Sequence, residues 1–456
     1  MFYWSNLLGF ATTSALLISG VFLIYVVVLV VSYLRRDHYE PGDSRNFDWH
    51  FLVPCRDEES VIGTTIAYLR ENFPRAHVWV IDDASEDSTG AIVSAHASRD
   101  KQVHQVRRLL PNARTGKGDA LNAAYRVLSD WIHPSRPRDR CVVAVVDADG
   151  RLSRNALAAC ASARLFGDDS VGSVQVEVRM VNRDVRRPYP DAGRLRNFFG
   201  RTLVRLQDVE FRTAISAMQV SRRKVGTVGM GGNGQFTRLS VLDELDQGAG
   251  PWRGSLLEDF ELGVHVLLTG HRTEYCDDAW VDQEALPQLD RFLAQRTRWA
   301  QGTIQCVRYL PTLWRSRQIS NVGVLELSYF LAQPWLQLLG TVTYPLPVIA
   351  FVNNLVLYPS QTMIYLGNGG FVLFSIYVVI GIAQFAVWGP VYWRRTERAY
   401  GFWRCLGWGI AFSFMMYLFY LTAWRALGRV VRGQNGWAKT RRNREVDVLG
   451  PVSRDS

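Results

Sequence analysis

The stretch CVVAVVDADG, residues 141–150, contains the clearest strand of this chain. An uninterrupted run of small and β-branched apolar residues ends directly at the acidic residues Asp147 and Asp149. Such a continuous apolar run predicts a strand that is buried on both faces, as in a parallel sheet. Ligands of parallel sheets bind beyond the carboxyl ends of the strands, so the two carboxylates predict a site at this edge.

The residues before this strand repeat a strand–helix alternation. We predict strands over residues 49–54 and 78–82, with helices near 59–72, 86–98 and 117–130. This order predicts an α/β layered domain with a mostly parallel sheet over residues 45–290. Neither GxGxxG nor GxxxxGK[ST] occurs, which disfavours a Rossmann dinucleotide site and a P-loop.

Four apolar runs lie outside this domain. They cover residues 7–33, 324–353, 371–393 and 405–424. Each run is long enough to cross a bilayer, which takes about 20 residues. In the second run, Pro334, Pro345 and Pro347 predict a kink or a break. We therefore expect an N-terminal anchor at 1–36, interface helices at 291–322 and membrane helices at 323–428.

The net charge of +10 is concentrated beside the apolar runs, at Arg35 and Arg36, at residues 394–398 and at 425–444. This placement predicts a cytoplasmic domain and a basic cytosolic tail at 429–456 of a multi-pass plasma-membrane protein, and it excludes a nucleic-acid face. Four simple spans from an external N-terminus would leave the tail outside. One run is therefore re-entrant or lies at the interface. The six cysteines form no CxxC pair, which indicates reduced thiols.

Two acidic motifs end neighbouring strands. Asp147 and Asp149 form a hard oxygen site for Mg²⁺ or Mn²⁺, which substrate phosphates would complete; the alternative is a polar turn. In IDDASEDST (81–89), Asp82 and Asp83 are candidates for binding a base or a ribose. The same segment is also a plausible cap of the next helix.

Two glycine-containing segments are candidate ligand contacts. TGKGDALN (115–122) begins a helix and would place Lys117 near a phosphate; the alternative is an ordinary helix start. GMGGNGQF (229–236) contains Gly232, Asn233 and Gly234, and glycine allows a backbone to approach a ligand closely. This second segment is equally compatible with a plain loop.

The two remaining motifs precede the membrane region. In LLEDFELG (256–263), Glu258 and Asp259 begin a helix, where the helix dipole favours carboxylates. The functional alternative is a general base. In QRTRWAQG (295–302), the arginines and Trp299 are either a collar at the membrane surface, with Arg296 facing lipid headgroups, or one wall of an active site.

The order DD, DxD, ED and QxxRW resembles the family 2 processive β-glycosyltransferases, the membrane-embedded synthases of cellulose, chitin, hyaluronan and poly-N-acetylglucosamine. The resemblance covers residues 48–305. GKGDALN is similar to that family's GKxxALN, and NGWAKTRR (435–442) to its C-terminal WxxTxR. The chain departs from the family at Leu257, where threonine is frequent, and no cyclic-nucleotide-binding domain follows the apolar runs.

The resemblance implies a GT-A-type domain, a nucleotide-diphosphate sugar donor, most simply UDP-linked, and inversion at the anomeric carbon. It implies that Asp259, with Glu258 beside it, is the catalytic base, and that Mg²⁺ or Mn²⁺ binds Asp147 and Asp149. The implied donor-binding residues are Asp82, Asp83, Lys117, Asp147, Gln295 and Arg298. The implied acceptor-binding residues are Trp299, Gly232, Asn233 and Gly234.

The acceptor implied by the resemblance is a growing polysaccharide that leaves through a channel in the membrane helices, with accessory secretion subunits as optional partners. Two other functions stay open. One is a non-processive enzyme that adds a single sugar to a lipid carrier. The other is a transporter or scaffold with an inactive nucleotide-binding domain. The sugar and the linkage also stay open, with a slight similarity of QRTRWAQG to the poly-N-acetylglucosamine branch.

Overall fold

An eight-stranded mixed sheet forms the centre of the domain, with strand order β3-β2-β1-β4-β7-β6-β8-β5. Its strands are β1 (Asp48–Cys55), β2 (His77–Asp83), β3 (Val103–Arg108), β4 (Cys141–Val145), β5 (Arg151–Leu152), β6 (Val171–Met180), β7 (Gln235–Arg238) and β8 (Arg272–Gln283). The pairings β1–β2, β1–β4, β2–β3 and β6–β8 are parallel, and the other three are antiparallel. The expected mostly parallel α/β sheet is therefore confirmed.

The computed structural model describes residues 2–434, without the side chains of residues 2–9, 11, 12, 365, 370, 373, 374 and 377. Within the α/β domain, the helices are α2 (Ile62–Asn72), α3 (Thr89–Arg99), α4 (Lys117–Trp131), α5 (Ala156–Cys160), α6 (Arg194–Val209), α7 (Ser216–Arg223), α8 (Leu239–Leu245) and α9 (Glu258–Leu268). Around and after it are α1 (Phe2–Leu34), α10 (Leu289–Cys306), α11 (Leu310–Arg315), α12 (Asn321–Thr343), α13 (Pro345–Leu357), α14 (Pro359–Tyr365), α15 (Phe371–Ala386), α16 (Trp388–Arg395) and α17 (Phe402–Val431). A π-helical segment, Glu210–Ile215, joins α6 to α7.

The parallel half of the sheet sets the position of the acidic motifs. Strand β1 lies between β2 and β4 and pairs in parallel with both. All five residues of β4 are buried, as its β-branched sequence predicts. The strand ends at Val145, so Asp147 and Asp149 lie in the turn that follows it. Asp82 and Asp83 end β2 at the same edge of the sheet.

Three helical segments are long and apolar enough to cross a membrane: Thr13–Leu34, Asn321–Leu357 and Phe402–Val431. The second is divided at Tyr344, because Pro345 begins α13; this agrees with the break predicted from its prolines. The predicted run 371–393 is divided between α15 and α16, each shorter than a full span. These helices associate the chain with a membrane.

Helix α17 packs on the apolar helices, where the Tyr417 hydroxyl donates to the Gly381 carbonyl of α15 at 3.0 Å, and it also contacts α6 and α10. The Arg205 guanidinium of α6 lies 4.6 Å from the Trp408 ring centroid, and the Phe292 ring of α10 lies 6.1 Å from that of Phe419. Near its C-terminal end, Arg429 Nε donates to Gln301 Oε1 at 2.8 Å. These contacts extend over about 30 Å of helix. The re-entrant or interfacial position of one apolar run stays a prediction; residues 435–456, with NGWAKTRR, lie outside the described residues.

Buried ion pairs fasten the apolar helices to the domain. Arg36, directly after α1, and Arg223 of α7 both pair with the fully buried Asp277, at 2.8 and 3.2 Å. Arg395 of α16 pairs with the fully buried Glu177 at 2.9 Å. Breaking a buried pair leaves an uncompensated charge, so these contacts fix the domain relative to the membrane helices.

Candidate active site

The N-termini of α4 and α9 bring a lysine and two carboxylates together. Lys117 Nζ lies 2.6 Å from Asp147 Oδ1 and donates to the Gly232 carbonyl at 2.6 Å. Glycine at position 118 permits this approach, because a Cβ there would lie 3.1 Å from the Arg253 carbonyl oxygen and 3.5 Å from the Glu258 Cβ. The start of α4 thus packs directly against the start of α9.

The glycine-rich loop forms the opposite side of this cluster. A Cβ at Gly232 would lie 3.1 Å from Lys117 Nζ and 3.2 Å from Asp259 Oδ2. The loop is held by Asn233, whose Oδ1 accepts from Asp147 N at 3.2 Å, and by a left-handed φ of 75° at Gly234. The loop therefore places its backbone against the lysine and the carboxylate, as the ligand-contact interpretation requires.

The carboxyl groups of Glu258 and Asp259 both have pKa values above the ordinary range. Burial in the cavity wall raises the pKa of both carboxyls, that of Glu258 to about 7, and the neighbouring Asp259 charge contributes to the Glu258 shift. Lys117 and Arg298 oppose these shifts, and Asp259 Oδ1 accepts from Phe260 N at 2.7 Å. Carboxyl groups with raised pKa values in a cleft are candidates for general-base chemistry.

Arg298 extends from α10 into the same cavity. Helix α10 approaches closely because residue 302 is glycine; a Cβ there would lie 2.8 Å from Leu257 N. Within residues 2–434, Arg298 has no ion-pair partner, and its Nε is buried without a hydrogen-bond partner. A half-buried guanidinium without an ion-pair partner has donors available for an anionic ligand, and diphosphate oxygens suit its planar geometry.

Arg296 has a different environment from Arg298. Its Nη1 and Nη2 donate to the two carboxylate oxygens of Glu210 at 2.7 Å each, and both side chains are buried. The rings of Trp299, Phe292 and Phe419 pack around the guanidinium, with centroids 4.3 to 5.2 Å from its central carbon. The interpretation in which Arg296 faces lipid headgroups is wrong, because its charge is neutralised inside the protein.

Replacing Arg296 with alanine is expected to reduce the free energy of unfolding by about 3–5 kcal/mol, because Glu210 would keep a buried, unpaired charge. Denaturant unfolding of the detergent-purified protein measures this loss. The matched control is Arg315→Ala on α11, where the side chain is exposed and the expected change is within about 0.5 kcal/mol. Equal stability of the two variants would contradict the role assigned to the Arg296–Glu210 pair.

A cavity of about 480 Å³ connects these polar groups with the apolar helices. The predicted residues that line it are Lys117, Asp147, Gly232, Asn233, Glu258, Asp259, Gln295, Arg298 and Trp299. At its other end the wall comes from apolar helices, through Phe22 and Leu29 of α1, Pro334 of α12, and Phe412 and Met416 of α17. The structure therefore brings most of the predicted site together beside a largely apolar chamber.

Four predicted site residues do not line this cavity: Asp82, Asp83, Asp149 and Gly234. Asp82 Oδ1 accepts from Ser85 N at 3.0 Å. Asp83 pairs with Arg108 and accepts from Arg114 N at 3.1 Å, so it holds the loop that leads to Lys117. In this structure both aspartates organise loops, and a contact of Asp83 with a base or ribose stays a prediction.

Asp147 and Asp149 stay the predicted ligands of a divalent cation whose coordination substrate would complete. No group of three His, Cys, Asp or Glu residues suited to a metal occurs in the described part of the chain. The protein would therefore supply carboxylates from the DxD turn alone. Mg²⁺ and Mn²⁺ prefer oxygen ligands, and Mg²⁺ in particular commonly binds through one or two carboxylates together with substrate phosphates.

Sequence reasoning missed several polar residues of the cavity wall, among them Glu210, Tyr25 and Arg222. Glu210 lies in the π-helical segment, while Tyr25 and Arg222 come from α1 and α7. A π-helical turn has no recognisable sequence pattern, although such turns are frequent at functional sites. For Arg222 a signal existed in its partner Glu326, because an ionisable residue inside an apolar membrane helix is a functional candidate.

Comparison of the sequence with known proteins finds similar enzymes that transfer sugars. A beta-monoglucosyldiacylglycerol synthase from Synechocystis sp. is 29% identical over 270 residues, which are 58% of this chain and 49% of that protein. An N-acetylglucosaminyltransferase from Rhizobium sp. is 26% identical over 350 residues, which are 73% of this chain and 71% of that protein. The chain spans about half the length of the glucosyldiacylglycerol synthases that it matches.

A solved structure shares the whole architecture. Mannosyltransferase PcManGT from Pyrobaculum calidifontis, in complex with GDP-Man and Mn²⁺, superposes with a TM-score of 0.54 at 17% identity, over 90% of this chain and 99% of that chain. At this identity the likeness concerns the fold, and it confirms the expected GT-A-type domain. The family model described as glycosyltransferase like family 2 matches residues 48–302, more than half of the chain. The chain therefore belongs to glycosyltransferase family 2.

Proposed function

We propose that this enzyme transfers a sugar from a nucleotide-diphosphate donor to a hydroxyl group of a membrane-borne lipid, with inversion at the anomeric carbon. The observation that carries the proposal is the continuity of the cavity. Its polar end holds Asp259 and the unpaired Arg298, and its other end is walled by apolar helices. An amphiphilic acceptor needs both environments in one chamber.

Donor binding is assigned to the polar end of the cavity. Arg298 donates hydrogen bonds to diphosphate oxygens, and Lys117 adds a positive charge nearby, while Gln295 contacts the donor from the same helix as Arg298. A divalent ion held by Asp147 and Asp149 would neutralise the charge that develops on the departing diphosphate. The structurally similar mannosyltransferase was solved in complex with Mn²⁺, which supports this use of a metal.

The acceptor hydroxyl is activated by Asp259. Its carboxylate removes the proton as the oxygen attacks the anomeric carbon, and the nucleoside diphosphate leaves from the opposite face. Glu258 raises the cost of ionising both carboxyls together, and the positive charges of Lys117 and Arg298 lower the pKa values of both groups. Groups preorganised toward developing charge commonly provide the largest part of catalysis.

The character of the chamber supports a lipid acceptor. Side chains such as Phe22, Leu29, Phe412 and Met416 offer a sugar no hydrogen bonds, but they match acyl or isoprenoid chains. The similarity to glucosyldiacylglycerol synthases supports the same class of acceptor. A growing polysaccharide, exported through the membrane helices, is the second candidate. It is favoured by Trp299, whose ring lines the cavity where a sugar could stack.

The positive charge beside the apolar helices supports a cytoplasmic catalytic domain at the plasma membrane. Nucleic acid is not a partner in this proposal. Accessory secretion subunits belong only to the polysaccharide alternative, because a lipid acceptor stays in the bilayer.

The size of the product tests the proposal. Membranes containing the full chain are incubated with radiolabelled UDP- and GDP-sugars, and the products are then extracted into organic solvent. We expect the label in a lipid that carries one sugar, and linkage-specific hydrolases identify the bond. Label in a water-soluble or insoluble polymer would favour the second candidate. Absence of nucleotide release with every donor would exclude both.

A further inference from the structure

We propose that the N-terminal half of α6 docks on the surface of a bilayer that contains anionic phospholipids, and that three arginines of this helix bind their headgroups. The docking surface consists of an exposed apolar stripe and the arginines that flank it: Leu195, Phe198 and Phe199, with Arg194, Arg196 and Arg201. None of these six residues lines the cavity, and the inference does not depend on which acceptor the enzyme uses.

Three large apolar side chains lie side by side on the outer face of this helix. Leu195, Phe198 and Phe199 are 71%, 49% and 62% exposed, and the two phenylalanine rings have centroids 5.6 Å apart. Their spacing of three and four residues places them on one face. Asn197 and Gly200 are buried on the opposite face. An exposed apolar patch of this kind marks an interaction surface.

Arginines border the apolar stripe on both sides. At about 100° per residue, Arg194 and Arg201 lie along one edge of the stripe and Arg196 along the other. All three are exposed, and within residues 2–434 none of them forms an ion pair. The same holds for Arg186 and Arg187, which precede the helix. The protein therefore leaves the positive charge of this surface uncompensated.

The start of α6 is fixed by its own hydrogen bonds. Asn197 Nδ2 donates to the Tyr189 and Ala192 carbonyls at 2.8 and 2.9 Å, and its Oδ1 accepts from Tyr189 N at 3.0 Å. Residue 200 is glycine, and a Cβ there would lie 2.6 Å from the Tyr189 ring. The preceding loop thus packs closely on the helix. Because the docking surface is preorganised, its binding to lipid costs little ordering entropy.

The same helix contacts an apolar helix of the membrane region. The Arg205 guanidinium of α6 lies 4.4 Å from the Tyr400 ring centroid, in the turn before α17, and 4.6 Å from that of Trp408. Helix α17 is apolar enough to cross a membrane. Its second residue, Trp403, is 79% exposed, and tryptophan is enriched at membrane surfaces. The docking surface therefore belongs to a helix that is already fastened to the membrane region.

The combination of an apolar stripe with flanking arginines selects the partner. Phenylalanine and leucine side chains insert at the boundary of the acyl chains, while arginine side chains extend their charged ends to the headgroups. An anionic leaflet attracts each arginine near its surface. A symmetric contact with a second copy of this chain would instead bring the unpaired arginines together. The surface of an anionic bilayer satisfies both the stripe and the charges.

A fluorophore on the apolar stripe tests the proposal in nanodiscs that contain the full chain. Leu195→Cys provides one accessible thiol for an NBD label, because all six native cysteines are buried. The nanodiscs contain a constant amount of phosphatidylcholine brominated on its acyl chains, and the remaining lipid is either phosphatidylglycerol or phosphatidylcholine. We expect the bromines to quench the label strongly with phosphatidylglycerol and weakly without it. The control label is at Ser94→Cys, exposed on α3 beside the edge strand β3, where no quenching is expected.

Removing the three charges tests the role of the arginines. In the triple variant Arg194→Gln, Arg196→Gln and Arg201→Gln, the ratio of docked to undocked surface should fall about fivefold for each arginine, or about a hundredfold in total. High salt should also weaken quenching of the otherwise unchanged labelled chain, because it screens exposed charges. The matched control removes three other exposed positive charges and should leave quenching unchanged: Arg99→Gln, Lys101→Gln and Arg126→Gln.

Each outcome decides a different part of the proposal. Absence of quenching at position 195 in both lipid mixtures would overturn the docking itself. Equal quenching in both mixtures, or unchanged quenching in the triple variant, would overturn the binding of anionic headgroups by the arginines. If the triple variant does not fold, the lipid and salt series on the labelled chain decide the question. None of these measurements uses sugar transfer, so they stay separate from the test of the proposed function.

Discussion

Replacing Asp259 with asparagine is expected to lower kcat for sugar transfer by about 10³-fold, because a general base contributes about 10²- to 10⁴-fold. The amide keeps the size of the carboxylate and its hydrogen bond from Phe260 N. It cannot accept the proton of the acceptor hydroxyl. UDP binding should be nearly unchanged, because Lys117 and Arg298 do not depend on this proton transfer. Nucleotide binding by calorimetry and transfer of a radiolabelled sugar measure the two quantities separately.

The neighbouring Glu258 provides the matched control. Glu258→Gln also replaces a carboxylate with an amide, one residue away. We expect kcat to fall by only about tenfold, which corresponds to about 1.4 kcal/mol. An active Asp259→Asn enzyme would remove the assignment of the base. If Glu258→Gln were then the inactive variant, the role would pass to Glu258.

The pH profile of the wild-type enzyme gives an independent test of the same pair. Both carboxyls have raised pKa values, and that of Glu258 is about 7. A base must be deprotonated, so kcat/KM should rise with pH and level off only above the raised pKa values. Interacting carboxyls titrate as a pair. The rising part of the pH profile therefore gives apparent pKa values of the pair and not of one residue. A rate that is flat from pH 5 to 8, where an ordinary carboxyl is already ionised, would contradict the base assignment.

Much of the fold and of the site was predictable because the motifs lie at strand ends and helix starts. The continuous apolar run of β4 indicated a buried strand, and its position beside β1 brings Asp147 to the edge where ligands bind. Lys117, Glu258 and Asp259 begin α4 and α9, and these helix starts pack against each other around glycine. A residue at a strand end or at a helix start has a position in the fold that follows from the local sequence pattern.

Other features depended on contacts that no local pattern encodes. Arg296 and Arg298 are two residues apart on α10 and so face different directions, but periodicity alone does not tell which one is bound in an ion pair. The structure shows Arg296 bound to Glu210 and Arg298 unpaired. Likewise α17 is apolar enough to span a membrane. Its contacts with Arg205, Gln301 and the Gly381 carbonyl of α15 are visible only in the structure.

Chelating divalent metal is expected to lower the transfer rate by at least about 10³-fold, because a metal ion contributes several kcal/mol of charge stabilisation on the leaving group. Added Mg²⁺ or Mn²⁺ should restore the rate. The control is EDTA already saturated with Mg²⁺, which should have no effect. The melting temperature should also stay constant in EDTA, since the described residues hold no metal cluster of their own.

The two oxygens of Asp147 explain how one carboxylate can serve both Lys117 and a metal ion. Lys117 Nζ holds Oδ1 at 2.6 Å, and within residues 2–434 Oδ2 has no ion-pair partner, so it stays available for a cation. Asp147→Asn should therefore weaken both contacts, raising the Mn²⁺ concentration needed for half-maximal activity and leaving Lys117 without its counter-charge. Asp149→Asn should raise the Mn²⁺ requirement alone. Undiminished turnover in excess EDTA would show that Lys117 and Arg298 neutralise the diphosphate without a metal, and the DxD turn would then serve to position Lys117.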